Sequence, residues 1–285
     1  MIAGPDPNTK TPAFKAPPGS IDCQAHIFGP AAKFPYQADR GYTPPDSPLA
    51  AFRALHEKMG IERAVIVNST IYGKDNAVVL DAIAQSGGKY KAVVNIDDAT
   101  TDKEIEAMEA AGIRGCRFAF LARLGGTPDF SRVKRAADRI KAVNWSVDLY
   151  LEPQMIEALS PQMEALPVPY VIDHMGAVKA AQGIDQPAFK ALLALAGRDQ
   201  KCWIKIMGPE RMSATGAPFA DTIPFARALI EAAPDRVIWG SDWPHPNVPV
   251  MPNDGDLVDL IPQFAPDETQ RRKLLVDNPV RLYRF

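Results

Sequence analysis

The residues best suited to chemistry in this 285-residue chain are three of its four histidines and one aspartate. His26, His174 and His245 lie at or just beyond the ends of apolar, strand-like runs, and Asp242 lies shortly before His245. Imidazole and carboxylate groups can move protons, polarise a carbonyl group or bind a divalent cation. A single histidine at a strand end is more often structural than catalytic. Three of them together with an aspartate indicate a catalytic site. We expect His56, which lies in a helical pattern, on a helix surface without a role.

Three arginines fall near the same strand ends. Arg117 interrupts the apolar run CRFAF, while Arg123 and Arg211 lie in segments that follow predicted strands. A guanidinium group binds a carboxylate through two parallel hydrogen bonds. A single arginine is as often part of a surface ion pair, but two or three around one pocket predict an anionic ligand, for example a dicarboxylate.

These side chains can meet only if the fold gathers the ends of their strands. Short apolar runs alternate with helix-period segments along the chain, which predicts an α/β fold. Eight such units favour a single-domain, distorted TIM (β/α)8 barrel, whose functional residues collect at the carboxyl ends of the strands. Gly60, Gly112 and Gly197 stand where helix C-caps are expected. The predicted strands are Ser20–Ala25, Arg63–Asn68, Lys91–Ile96, Gly115–Phe118, Ser146–Tyr150, Tyr170–Asp173, Cys202–Ile206 and Arg236–Trp239.

Three segments stand outside this alternation. Residues 1–19 are rich in proline and polar residues and predict an extended arm before a barrel that covers residues 20–285. Residues 28–48 and 243–252 follow the first and last strands and predict long loops, which in compact domains are usually functional.

The composition narrows the classes of function. A net charge of −2 and the lack of a Lys/Arg run give no reason to expect nucleic acid, although a local arginine cluster still allows an anionic substrate. The three cysteines, Cys23, Cys116 and Cys202, lie far apart in apolar runs, which argues against a disulfide framework or a thiolate zinc site. We find no signal-peptide or membrane-spanning pattern and expect a cytoplasmic protein, either a monomer or a small homo-oligomer.

The chain after its N-terminal arm resembles the amidohydrolase superfamily, and within it the 2-pyrone-4,6-dicarboxylate lactonase-like branch. The pairing of IDHMG with WGSDWPHPN is specific, and so is the segment that carries FGP, FPY and YTP. The resemblance is carried by IDCQAHIFGP, KFPYQADRGYTPPDSP, GIRGCRFAF, YVIDHMG, GPERMS, RVIWGSDWPHPN and LLVDNPVRLY.

The resemblance implies a hydrolase that opens a small carboxylated lactone, in the degradation of aromatic compounds. Asp242 would be the general base that activates water, while His26 and His174 would polarise the lactone carbonyl. Arg117, Arg123 and Arg211 match the family's carboxylate-binding positions. Further residues expected to bind the substrate are Gln24, Tyr42, Ser69, Tyr150 and Asn247.

The strand-one motif departs from the family pattern. The family carries Asp-x-His-x-His there, whereas this chain has Gln24 at the first histidine position and keeps His26. Glutamine is a poor ligand for zinc, so we expect no cofactor. If a single divalent metal such as zinc is bound, its ligands would be His26, His174 and Asp242.

The altered motif leaves other functions open. A lactone isomerase would move a proton on the ring without adding water, and a sulfonated muconolactone hydrolase would use the arginines for a sulfonate. A metal-dependent decarboxylase and a carboxylate-binding protein without enzymatic activity are the remaining alternatives.

Overall fold

Eight parallel strands form the centre of the molecule, in a computed structural model that describes residues 2–122 and 129–285. Each strand pairs with the next one along the chain, so the order in the sheet is β1 to β8. The strands are β1 Ile21–Ala25, β2 Arg63–Val67, β3 Tyr90–Val94, β4 Ile113–Ala119, β5 Ser146–Tyr150, β6 Tyr170–Ile172, β7 Cys202–Ile206 and β8 Val237–Trp239.

The sheet closes on itself between its first and last strands. A parallel bridge joins Ala25 to Trp243, and the His26 backbone N–H donates to the Trp243 carbonyl at 2.7 Å. The Asp242 backbone N–H donates in turn to the Gln24 carbonyl at 2.8 Å. The predicted TIM barrel is therefore confirmed, and three candidate site residues, Gln24, His26 and Asp242, lie directly at its seam.

Helices surround the barrel and follow most of the strands. Gly60 and Gly112 end their helices in the left-handed conformation, with φ of 70° and 109°, as the sequence predicts. The prediction for Gly197 is wrong, because this residue lies inside α6. The helices are α1 Leu49–Met59, α2 Ala77–Ala84, α3 Asp102–Ala111, α4 Ser131–Ile140, α5 Met155–Glu164, α6 Pro187–Arg198, α7 Pro209–Met212, α8 Ile223–Ala232, α9 Asp254–Asp259, α10 Ile261–Phe264, α11 Glu268–Arg272 and α12 Asn278–Tyr283.

The barrel interior is apolar at one end and polar at the other. Cys23, Val93 and Val171 belong to a buried cluster that also contains Leu282 and Tyr283 from the C-terminal helix. This cluster fills the end of the barrel at which the strands begin. Above this cluster, toward the carboxyl ends of the strands, the inward side chains are charged. A buried charge is costly, so each of these side chains needs a partner of opposite charge.

The remaining segments agree with the simple sequence signals. The described part of the arm, residues 2–19, contains no helix or strand, and the predicted long loops at 28–48 and 243–252 likewise contain neither. All three cysteines are buried and unpaired. In the described ranges, the helices are too short or too polar to cross a lipid bilayer.

Candidate active site

A bulge in β1 aims the first site residues into the barrel. Asp22 pairs with Ala64 and Ala25 with Ile66, so β1 carries one residue more than its partner between these pairs. A bulge of this kind re-aims side chains next to functional sites. Here Gln24 contacts Lys205 inside the barrel, and His26 lines a chamber that lies above Lys205, toward the carboxyl ends of the strands.

Asp22 fastens the bulge to the loop that carries Asp242. Its Oδ1 accepts hydrogen bonds from the backbone N–H groups of Gln24 at 3.1 Å and Ser241 at 2.9 Å. Its Oδ2 accepts from the Ser241 hydroxyl at 2.5 Å and lies 3.2 Å from Nε2 of His56. His56 is thus buried against Asp22, and the expectation that it lies on a helix surface is wrong.

Nine of the predicted site residues line one small chamber at the carboxyl ends of the strands. The chamber has a volume of about 30 Å³, which holds water but no lactone ring, so a ligand can enter only if lining side chains move. The nine residues are His26, Tyr42, Ser69, Arg117, Tyr150, His174, Arg211, Asp242 and Asn247. Two predicted residues differ: Gln24 does not line the chamber, and Arg123 lies outside the described residues.

Asp242 occupies the centre of this chamber and uses its two oxygens differently. Its Oδ2 accepts hydrogen bonds from Nε and Nη2 of Arg211, at 2.9 and 2.6 Å. Its Oδ1 faces Nε2 of His26 at 3.7 Å and Nε2 of His174 at 3.9 Å. Burial alone would raise the pKa of Asp242, but Arg211 and His174 hold this pKa well below its usual range. Asp242 is therefore a carboxylate in the free protein.

The two histidines present different atoms to the chamber. Nδ1 of His26 lies 2.7 Å from the Val67 carbonyl, which can only accept, so this nitrogen carries a proton and a neutral ring leaves a lone pair on Nε2. Burial lowers the pKa of His174 to about 3, against the opposing charge of Asp242, so its ring is neutral near pH 7. Tyr150 packs on the His174 ring with 4.3 Å between centroids.

A larger cleft leads to the chamber. It has a volume of about 560 Å³ and shares Thr70 and Arg117 with the chamber. Its wall carries both cations, such as Lys74 and Arg132, and carboxylates, such as Asp97. Arg117 therefore stands where a ligand would pass from the cleft to Asp242.

Beneath the chamber lies a buried network centred on Lys205. Its ammonium lies 2.5 Å from Oδ2 of Asp148 and 3.0 Å from Oδ1 of Asp173, and donates to Oε1 of Gln24 at 2.6 Å. Asp173 Oδ2 also accepts from Nε of Arg117 at 2.7 Å. Burial alone would lower the pKa of Lys205, but the two carboxylates raise it. Gln24 is therefore occupied by an internal cation and not by a ligand in the chamber.

A second buried group lies beside Arg211, and sequence reasoning found its histidine, His245, but not its two acidic members. Nε2 of His245 lies 3.0 Å from Oδ1 of Asp254, and its Nδ1 lies 3.9 Å from Oε1 of Glu210. Glu210 Oε1 also lies 3.4 Å from Nε of Arg211. The GPERMS stretch was a signal for this group, since it places an acidic residue directly before the predicted anion-binding arginine.

The family model for amidohydrolases matches residues 21–285, which is nearly the whole chain. The chain belongs to the amidohydrolase family.

Curated relatives of this amidohydrolase align along almost their full length. A 4-sulfomuconolactone hydrolase from Hydrogenophaga intermedia is 43% identical over 98% of this chain and 93% of its own. A 2-pyrone-4,6-dicarboxylate hydrolase from Comamonas testosteroni is 40% identical over 97% of this chain and 93% of its own. An apo crystal structure from Agrobacterium tumefaciens is 31% identical, with a TM-score of 0.85 over 96% of this chain and 98% of that chain.

Amidohydrolases often use a divalent metal, and the residues present fit one poorly. Among the described residues, the group whose ligand atoms all lie within 4.8 Å of one another is Glu210, Asp242 and His245, which shares only Asp242 with the predicted set. The Arg211 guanidinium already lies against both carboxylates of this group. Gln24, at the first histidine position of the motif, is held by Lys205. We therefore derive no step through a metal.

Proposed function

We propose that this amidohydrolase is a lactonase that opens a small anionic lactone by attack of water on the ring carbonyl. One observation supports this most strongly: Asp242 has one oxygen held by Arg211, while the other faces two imidazoles inside a chamber lined by arginines. Lactone hydrolysis needs a base for the water and a donor for the carbonyl oxygen, and the arginines add a site for the anionic group of the substrate.

In this mechanism Asp242 is the general base. Its Oδ1 takes a proton from water, and the resulting hydroxide adds to the carbonyl carbon. The tetrahedral intermediate then breaks the ring C–O bond, and the leaving oxygen takes up the proton that Asp242 has stored. General base catalysis of this kind contributes roughly 10²- to 10⁴-fold to the rate.

The two histidines take unequal parts. His174, with a neutral ring, can donate from Nε2 to the carbonyl oxygen as negative charge develops there. His26, whose Nδ1 proton is committed to the Val67 carbonyl, offers the Nε2 lone pair to the attacking water. Nε2 of His26 lies 3.7 Å from Asp242 Oδ1, so one water molecule can contact both groups.

The arginines of the chamber select the substrate. Arg117 and Arg211 line the chamber together with Tyr42, whose hydroxyl lies 2.8 Å from that of Ser69. We assign the carboxylates of a 2-pyrone-4,6-dicarboxylate-like lactone to these groups, and keep Arg123 as a further predicted partner. A sulfonated muconolactone is the second candidate, because a relative with that named substrate is 43% identical.

A panel of carboxylated and sulfonated lactones, followed by absorbance with and without a chelator, tests this proposal. We expect one of these lactones to open with release of acid, at a rate that the chelator leaves unchanged. Conversion without acid release would establish an isomerase instead. Release of carbon dioxide that stops with the chelator would establish a metal-dependent decarboxylase, and a ligand that stays unchanged would indicate a binding protein.

A further inference from the structure

Arg211 stands between two buried carboxylates. Its Nε donates to Oδ2 of Asp242 at 2.9 Å, and the same Nε lies 3.4 Å from Oε1 of Glu210. Within the described residues, neither carboxylate oxygen of Glu210 accepts a hydrogen bond from another residue, although its side chain is only 1% exposed. A buried carboxylate without hydrogen bonds is costly, so this one needs a physical reason.

We propose that Glu210 is a positioning residue that receives Arg211 when an anionic ligand enters the chamber. The chamber is too small for a lactone until lining side chains move, and Arg211 is one of them. Arg211 Nε lies 2.9 Å from Asp242 Oδ2 and 3.4 Å from Glu210 Oε1, so a rotation of the guanidinium toward Glu210 can exchange one carboxylate for the other. This rotation gives up the Nη2 hydrogen bonds to Asp242 at 2.6 Å and to the Pro246 carbonyl at 2.9 Å. Nη1 and Nη2 can then bind the ligand's anionic group, while Asp242 loses its strongest cationic partner. This inference rests on the proposed function, in which Asp242 is the base.

Two further residues hold Glu210 ready for this movement. His245 is completely buried and lies between Asp254 and Glu210, with its Nδ1 toward Glu210 Oε1. Burial alone would lower the pKa of His245, but Asp254 and Glu210 raise it above its ordinary value, which favours the protonated ring beside Glu210. The backbone N–H of His245 also donates to the Asp242 carbonyl at 2.8 Å. The loop that carries Asp242 therefore also carries the histidine that contacts Glu210.

The consequence is that binding an anion and releasing the base are one event. In the free protein Arg211 neutralises Asp242 and keeps it a weak base. In the complex Arg211 neutralises Glu210 and the ligand, and the Asp242 carboxylate turns to water. A ligand without an anionic group cannot draw Arg211 away, so it would bind beside an inactive base.

A double-mutant cycle on anion binding tests this role without relying on turnover. Citrate, a polycarboxylate that the protein cannot hydrolyse, is titrated by calorimetry into the wild type, Glu210→Gln, Asp242→Asn and the double variant. We expect Glu210→Gln to weaken citrate binding about tenfold in the wild-type background. In the Asp242→Asn background Arg211 no longer has to leave a carboxylate, so the same change should weaken binding by less than about twofold.

Controls separate this role from a merely structural one. Glu109→Gln removes a carboxylate that pairs with Arg114 and Arg284 away from the chamber, and should leave citrate binding unchanged. If Glu210→Gln does not fold, Glu210→Asp, which keeps the charge but withdraws it from Arg211, replaces it in the cycle. Equal weakening in both backgrounds, or no citrate binding by the wild type, overturns the proposal. Failure of the lactonase assignment would appear separately, as absence of lactone turnover by a wild type that still binds citrate.

Discussion

At the scale of single residues, the proposed mechanism depends on which partners the Asp242 carboxylate has. A carboxylate with a strongly lowered pKa is a weak base, and general bases work best with a pKa near the operating pH. Arg211 is the main reason that the pKa of Asp242 is low, so any ligand that attracts Arg211 makes Asp242 more basic. In the proposed mechanism, these two residues together make the basicity of Asp242 depend on the bound ligand.

The protonation state of His174 gives a prediction at this scale. Burial lowers its pKa to about 3, below the ordinary value of 6.5, so the folded protein should hold His174 neutral from pH 5 to pH 9. Long-range ¹H–¹⁵N NMR spectra of the imidazole nitrogens check this. The unfolded chain takes up a proton on this ring near pH 6.5, whereas the folded protein keeps the ring neutral. The free energy of unfolding should therefore decrease as the pH falls from 6.5 toward 3. A titration of His174 centred near pH 6.5 would contradict its role as a neutral donor.

At the scale of elements, the strands were predictable and their charged partners were not. Strands β5 and β7 have the predicted bounds, and the others differ by one or two residues. The sequence could not show that Gln24 meets Lys205 or that Asp22 meets His56, because such pairs join elements far apart in the chain. The bulge in β1 could not be predicted from the sequence either, and it decides which side chains of β1 point into the barrel.

The Lys205 network gives a prediction for the strands that it joins. Lys205→Met keeps the volume of the side chain but leaves Asp148 and Asp173 without their buried cation. We expect a loss of about 3–5 kcal/mol in the free energy of unfolding, measured by denaturant titration. The matched control is Lys190→Met, since Lys190 pairs with Asp185 on the surface and should contribute almost nothing. Similar effects of both variants would mean that the internal network is not needed for the fold.

At the scale of the whole molecule, the barrel divides into an end that stabilises and an end that reacts. The C-terminal helix α12 closes the first end with Leu282 and Tyr283, and the chamber opens at the other. This division was predictable from the strand-end rule for TIM barrels. Nine of the eleven predicted site residues line one chamber, and several of these nine were expected only from the family resemblance. Glu210 escaped the prediction, although it directly precedes the predicted anion-binding Arg211, because its burial in the short helix α7 cannot be read from the sequence.

Tyr283 gives a prediction for the stabilising end. Its hydroxyl is buried without a hydrogen-bond partner among the described residues. Tyr283→Phe removes this unsatisfied group and should raise the free energy of unfolding by about 1 kcal/mol. Tyr170→Phe is the matched control, since the Tyr170 hydroxyl donates to Asp199 at 2.8 Å and its loss should destabilise the protein. Thermal unfolding of both variants compares their stabilities. A larger loss of stability in Tyr283→Phe than in Tyr170→Phe would contradict this prediction.

The most direct test of the account is the rate of lactone opening by Asp242→Asn compared with the wild type. The measurement uses 2-pyrone-4,6-dicarboxylate and 4-sulfomuconolactone as substrates, identifies the products by NMR, and determines citrate binding in parallel. We predict that the wild type opens at least one of these rings, and that Asp242→Asn lowers kcat by about 10²- to 10⁴-fold while citrate still binds. A variant that keeps a rate near that of the wild type would contradict the assignment of Asp242 as the base and the mechanism built on it.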